Sequence, residues 1–188
     1  VLLKYGSQAQ RDQWLDPLLD GRIRSAFLMT EPGVASSDAT NMAATARIEG
    51  DEVVLNGRKW WSSGAGHPDC KVGIYMALTD ETADRHHQHS MVLVPMDAPG
   101  VIREKKLEKL GMHASDTALL AFQDVRVPAS AVLGEVGKGF YHIMWELQGE
   151  RLIGAAGCVA GAQRCFDRTL QYAKERKAFG REIGRFQV

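Results

Sequence analysis

Apolar positions along the chain change their period twice. In the first 26 residues Tyr5, Trp14, Leu15, Leu18 and Leu19 recur at helical spacing, which predicts the end of a helical region. From Phe27 to about Gly134 the chain breaks into short β-type runs separated by Gly, Pro and Asp, the pattern of an all-β unit. The clearest runs are Thr45 to Ile48 and Val53 to Leu55, which Glu49-Gly50-Asp51 turns back on each other. Further strands are predicted at Val72 to Leu78, Met91 to Met96, Thr117 to Phe122 and Val125 to Val127, with Pro95, Pro99 and Pro128 at ends or edges. Beyond Gly139, Phe140, Ile143, Met144 and Leu147 share one helical face. A second helix is predicted from near Glu150, where Leu152, Ala155, Ala156, Val159, Phe166, Leu170 and Ala173 trace an apolar stripe. The expected organisation is α+β, with three parts: 1–26, the end of a helical domain; 27–135, a β domain; and 136–188, the start of a helical bundle.

Composition narrows the function classes. The 188 residues are 45% hydrophobic and 24% charged, ordinary for a globular protein. Lys plus Arg and Asp plus Glu both number 23, so no net positive field would hold nucleic acid or an anionic membrane. No apolar run approaches the roughly 18 residues of a membrane helix. Cys70, Cys158 and Cys165 lack metal-site spacing and fit reduced thiols in a cytoplasm or organelle matrix. Arg85-His86-His87-Gln88-His89 reads as a solvated inter-strand loop, because no acid or thiol nearby completes a ligand set. Glu104-Lys105-Lys106 reads as a solvated surface. Because the chain opens at Val1 and stops at Val188 inside an amphipathic pattern, it is expected to be a piece of a longer protein.

Three stretches together resemble the acyl-CoA dehydrogenase family: FLMTEPGVASSDAT (Phe27 to Thr40), NGRKWWSSGAG (Asn56 to Gly66) and YAKERKAFGREIGRFQ (Tyr172 to Gln187). Between the second and third, GMHASDTALLAFQDVRVPASAVLGEVGKGF is similar to the family's connection from β domain to helical domain. The resemblance implies an incomplete acyl-CoA dehydrogenase fold, whose middle domain is barrel-like or sandwich-like and flanked by helical domains. It implies FAD as cofactor, an acyl-CoA substrate, a homodimer or homotetramer, and an electron-transfer flavoprotein as acceptor. In that setting Phe27, Met29, Thr30, Ser36, Trp61, Ser62 and Ser63 would contact the flavin. A tryptophan offers a flat surface for the isoalloxazine ring, and hydroxyls suit its polar edge. Ser36 would also contact the CoA portion. The family's usual Ala-Gly-Ser-Asp is one residue longer here, Val34-Ala35-Ser36-Ser37-Asp38, so Ser36 and Ser37 compete for that role. Arg176, Phe179 and Gln187 match positions that reach a neighbouring subunit's flavin, where a guanidinium fork suits pyrophosphate. Without the resemblance, Trp61 reads as a core tryptophan, Ser36 as a turn serine and Arg176 as an exposed helix-end arginine.

The extra residue and WWSSGAGHPDCK resemble the branch containing family members ten and eleven. Glu150-Arg151-Leu152 instead resembles the Glu-Arg-Leu motif by which the isovaleryl and long-chain enzymes carry their catalytic base. By that likeness Glu150 is a candidate base and Arg151 a contact for the CoA phosphate or adenine. The competing readings are a first-turn acid favoured by the helix dipole, with the base further downstream, and a surface partner for Glu146 or Glu150. Two rival functions remain: an acyl-CoA oxidase of the same fold, and a non-catalytic scaffold.

Overall fold

Residues 1–187 are described in the computed structural model, which divides into two compact units, 1–144 and 145–188. The first unit opens with helix α1 (Leu2–Tyr5). Ser7 then starts a new helical run through a capping box: Gln10 N donates to Ser7 Oγ at 3.2 Å and Ser7 N to Gln10 Oε1 at 3.0 Å. The run passes from α2 (Gln8–Gln10) through a π-helical turn (Arg11–Leu15) into α3 (Asp16–Leu19). Buried Gln10 also docks it, since Nε2 donates to the carbonyls of Ser130 and Val132 at 2.7 and 2.9 Å.

Seven strands form one mixed, curled sheet: β1 (Arg24–Leu28), β2 (Thr45–Glu49), β3 (Glu52–Ser62), β4 (Cys70–Leu78), β5 (His89–Pro95), β6 (Val101–Lys106) and β7 (Ala118–Pro128). The order is β1-β4-β2-β3-β7-β6, with β5 on β4. The barrel-like middle domain flanked by helices is therefore present as a half-barrel. β1 starts three residues before the expected boundary at Phe27, because Arg24 already pairs with Cys70. The β2–β3 hairpin turns on Gly50-Asp51 with Gly50 at φ +61°, a conformation glycine adopts without steric cost. The two strands expected at 117–122 and 125–127 are one, β7, pairing with β3 on either side of a bulge. Pro95 and Pro128 do close their strands. β6, read from sequence only as charged surface, is the edge strand next to β7, with all of Ile102 to Lys106 exposed. Leu28, Leu55, Tyr75, Val92, Val94, Leu120 and Phe122 fill the core. Tyr75 stacks obliquely on Phe122 at 4.5 Å and donates its hydroxyl to the Asn56 carbonyl at 3.0 Å.

The helical part differs from expectation. Instead of two helices there is one, α4 (Gly139–Glu175), 37 residues long. Gly149 does not break it: an interior glycine costs only about 1 kcal/mol relative to alanine, and no proline intervenes. Within the second unit, α4 is followed by a small hairpin, β8 (Lys177–Ala178) and β9 (Arg181–Glu182), and a single turn, Ile183–Arg185. Among the described residues no helix is long and apolar enough to cross a membrane.

Candidate functional site

The carboxyl end of β1 meets β3 through a set of bonds converging on residues 29–31. Trp60 N donates to the Thr30 carbonyl at 2.9 Å. One turn of the pleat away, Lys59 Nζ donates to the carbonyls of Met29 (2.9 Å) and Met76 (2.7 Å) and to Glu31 Oε1 (2.8 Å). Lys59 is wholly buried and Glu31 nearly so. Burial pushes the Lys59 ammonium down to about 8, against the opposing pull of the Glu31 carboxylate. That carboxylate is satisfied further by the backbone N–H groups of Ala43 at 2.8 Å and Ala44 at 3.1 Å. Sequence reading passed over both residues. The available signal was parity: Val53, Leu55, Gly57 and Lys59 share one face of β3, and Val53 and Leu55 lie in the core. A lysine on that face demands an acid.

Immediately beyond Lys59 the β3–β7 register shifts, so that Trp60 and Trp61 oppose the single residue Leu119. Trp61 takes φ +53°, a left-handed conformation uncommon for a bulky residue, and 48% of its surface is exposed. The bulge thus turns an aromatic ring outward that the pleat would have alternated inward. It is no core tryptophan. Thr30 and Ser63, on the two segments joined by the Trp60–Thr30 bond, have hydroxyls with no hydrogen-bond partner among the described residues. The two joined segments carry an exposed flat aromatic face and free hydroxyls, and those chemistries suit an isoalloxazine ring and its polar edge.

The other expected contacts are placed differently. Phe27 and Met29 are half-buried, and the Met29 carbonyl is committed to Lys59. Ser62 is buried, its hydroxyl 3.5 Å from the Trp60 carbonyl, so it belongs to the bulge itself. Ser36 is also buried, and its Oγ accepts from Glu31 N at 2.6 Å, whereas Ser37 is exposed. The extended loop between them and Thr40 is clamped from outside by Arg85, which donates to Thr40 Oγ1 at 2.8 Å and Asp38 Oδ2 at 2.9 Å. The histidine segment is only partly a solvated loop: His86 is exposed, but His89 opens β5 and is buried, and burial lowers its imidazole below the ordinary value. Among the described residues no group of three or more His, Cys, Asp or Glu side chains could hold a metal ion.

In the second unit Glu150 and Arg151 are exposed and lie inside α4, eleven and twelve residues from its start. Glu150 is therefore neither a first-turn acid nor a residue at a helix N-terminus, and a dipole account of it fails. Arg176 follows the helix directly and is exposed. Phe179 occupies the tip of the β8–β9 hairpin at φ +52° with 94% of its surface exposed, and Gly180 follows at φ +80°. Two positive φ values in succession match a tight hairpin turn, but a phenylalanine in the first is unusual and presents its ring fully to the outside. Gln187 is exposed beyond the last turn.

The family description "Acyl-CoA dehydrogenase, middle domain" matches residues 26–125, and "Acyl-CoA dehydrogenase, C-terminal domain" matches residues 137–188. The chain is 44% identical over 184 residues to "Probable acyl-CoA dehydrogenase FadE2" of Mycobacterium tuberculosis, covering 97% of this chain and 45% of that protein. It is 43% identical over 194 residues to "Acyl-CoA dehydrogenase family member 11" of Gallus gallus, covering 100% of this chain and 25% of that protein. Among solved structures, an acyl-CoA dehydrogenase from Geobacillus kaustophilus superimposes with a TM-score of 0.91 at 41% identity, over 98% of this chain and 48% of that one. A glutaryl-coenzyme A dehydrogenase in complex with glutaryl-CoA gives 0.89 at 38% identity, over 98% and 46%. The chain thus spans between a quarter and about half of the length of these relatives. With residues 26–125 matched as the middle domain and 137–188 as the C-terminal domain, the chain belongs to the acyl-CoA dehydrogenase family.

Proposed function

We propose that the full-length protein carrying this sequence is an FAD-dependent acyl-CoA dehydrogenase that converts an acyl-CoA thioester to the trans-2-enoyl-CoA. The observation that supports this reading is the left-handed, outward-turned Trp61, on segments joined by the Trp60–Thr30 bond that also carry the hydroxyls of Thr30 and Ser63. Backbone strain of roughly 1–3 kcal/mol persists where surrounding structure over-determines it, commonly at ligand sites. Trp61 would carry the flat face of FAD, with Thr30 and Ser63 donating to its polar edge. When bound, FAD accepts the substrate's β-hydrogen as hydride. A carboxylate must remove the α-proton in the same reaction, and Glu150 is the candidate for it. Ser36 and Ser37 sit on the loop proposed to meet the CoA portion. Ser37 has the exposed side chain, while the Ser36 oxygen already accepts a bond, so we assign the contact to Ser37 with Ser36 shaping the turn.

Arg176, Phe179 and Gln187 are proposed to reach the flavin of a neighbouring subunit, Arg151 to meet the CoA phosphate or adenine, and the enzyme to pass electrons to an electron-transfer flavoprotein. The fully presented Phe179 ring supports a role outside its own hairpin. The deciding experiment is anaerobic: the purified full-length protein should be yellow and should lose its oxidised flavin absorbance within one turnover on adding acyl-CoA. A preparation that holds no flavin, or that stays yellow with acyl chains from short to long, refutes the proposal. Peroxide formed in stoichiometric amounts under air would assign the oxidase reaction instead.

A further inference from the structure

The chemistry proposed above makes no use of the buried Lys59–Glu31 pair, which is nevertheless the most heavily bonded side-chain cluster in the sheet. An ammonium has three donors, and all three are placed: on Met29 O, Met76 O and Glu31 Oε1. The Tyr75 ring lies 5.0 Å from the same nitrogen. Glu31 in turn accepts from the backbone of residues 43 and 44. Four separate segments, the end of β1, β3, β4 and the approach to β2, are therefore tied at one point.

Stability alone does not account for this. Replacing a buried ion pair by apolar groups of similar volume is often neutral or favourable, because desolvating two charges is costly. What the pair does achieve is positional. Thr30 is flanked on one side by the Met29 carbonyl that Lys59 binds, and on the other by Glu31, whose carboxylate meets Lys59 and whose N–H donates to Ser36 Oγ. Trp61 lies two residues beyond Lys59, within the bulge. Thr30 and Trp61 come from different segments, and no hydrogen bond joins their side chains.

We infer that Lys59 and Glu31 are the positioning pair of the flavin slot, holding Thr30 and Trp61 at a fixed separation and acting on the cofactor through them. This rests on the flavin reading of the site. The test uses the full-length protein with FAD as probe. The variant Glu31→Gln/Lys59→Met keeps both sizes and leaves no stranded charge. It should fold, and its dissociation constant for FAD should rise at least about 10-fold. At saturating FAD its flavin fluorescence should also be stronger, because stacking on Trp61, which quenches it, is loosened. A general loss of stability would not produce that second change in saturated, folded protein. If the double variant fails to fold, Glu31→Asp, which keeps the charge opposite Lys59 but shortens its reach, carries the test with the same two readouts. Wild-type affinity and wild-type quenching in a folded variant overturn the inference. Absence of FAD binding by the wild-type protein would instead remove the flavin reading, and the inference with it.

Discussion

A single methyl group added at Gly57 probes how tightly the sheet is closed beside the site. Gly57 sits at φ +140°, where L side chains are strained, and a Cβ there would lie 2.6 Å from Ala44 Cβ, 2.9 Å from Ala44 Cα and 3.1 Å from the Tyr75 hydroxyl. None of these is the free end of a flexible chain: Ala44 offers only its backbone and Cβ, and the hydroxyl is held by the Asn56 carbonyl. Strain of about 1–3 kcal/mol plus overpacking of about 1–3 kcal/mol should make Gly57→Ala cost about 2–6 kcal/mol. Gly50→Ala is the control. Gly50 has φ +61° but nothing within 4 Å, so it incurs only the left-handed penalty of about 1–2 kcal/mol, partly offset by a stiffer unfolded chain. At about 2–4 °C per kcal/mol, Gly57→Ala should melt roughly 4–24 °C lower and Gly50→Ala at most roughly 2–8 °C lower, in thermal scans at one heating rate. Flavin binding should weaken in the first variant alone, because displacing Ala44 moves an N–H that donates to Glu31. Equal melting of the two variants would refute the claim that contact with Ala44, and not backbone conformation, dictates glycine at position 57.

Three further outcomes are expected. Arg176→Ala should lose flavin on dilution faster than wild type, measured by filtration and absorbance; unchanged retention would remove the cross-subunit role. Glu150→Gln should bind acyl-CoA but bleach roughly 100-fold more slowly or worse under anaerobic mixing; bleaching at the wild-type rate would place the base elsewhere in the full-length protein. Burial lowers both His89 and His142 below the ordinary 6.5, so the unfolded chain takes up protons first as pH falls. Stability should therefore decline below about pH 6.5, until pH passes beneath the folded values, and denaturant midpoints that stay level from pH 7 to 5 would count against it.

The sequence made the strands legible where a short apolar run is bounded by turn residues, as in Val72 to Leu78, which is buried on both faces, and where Gly or Pro punctuates the chain, as between Thr45 to Ile48 and Val53 to Leu55. Strand β6 escaped because both its faces are exposed, leaving no apolar alternation to read. The break predicted near Glu150 failed for a different reason: a glycine inside a helix is a modest local penalty, overcome when the residues on either side are helical. Trp61 was found through its motif, yet its outward turn depends on a register shift against β7, which no local pattern encodes. Lys59 and Glu31 stand 28 residues apart, and only the approach of the segment after β1 to β3, joined by the Trp60–Thr30 bond, brings their charges together.

Strand β6 has a consequence for solubility. As the last strand beyond β7 it leaves one row of backbone donors and acceptors open, the template on which another chain can add a strand and start an aggregate. It is short, its register with β7 slips between Arg103 and Lys105, and it carries Arg103, Glu104, Lys105 and Lys106 in succession. A partner strand docking there would have to bury those charges and follow an irregular edge. The charged run thus acts as a gatekeeper against edge-to-edge growth, and replacing its lysines with valine or threonine would turn the end of the sheet into a nucleus for fibrils.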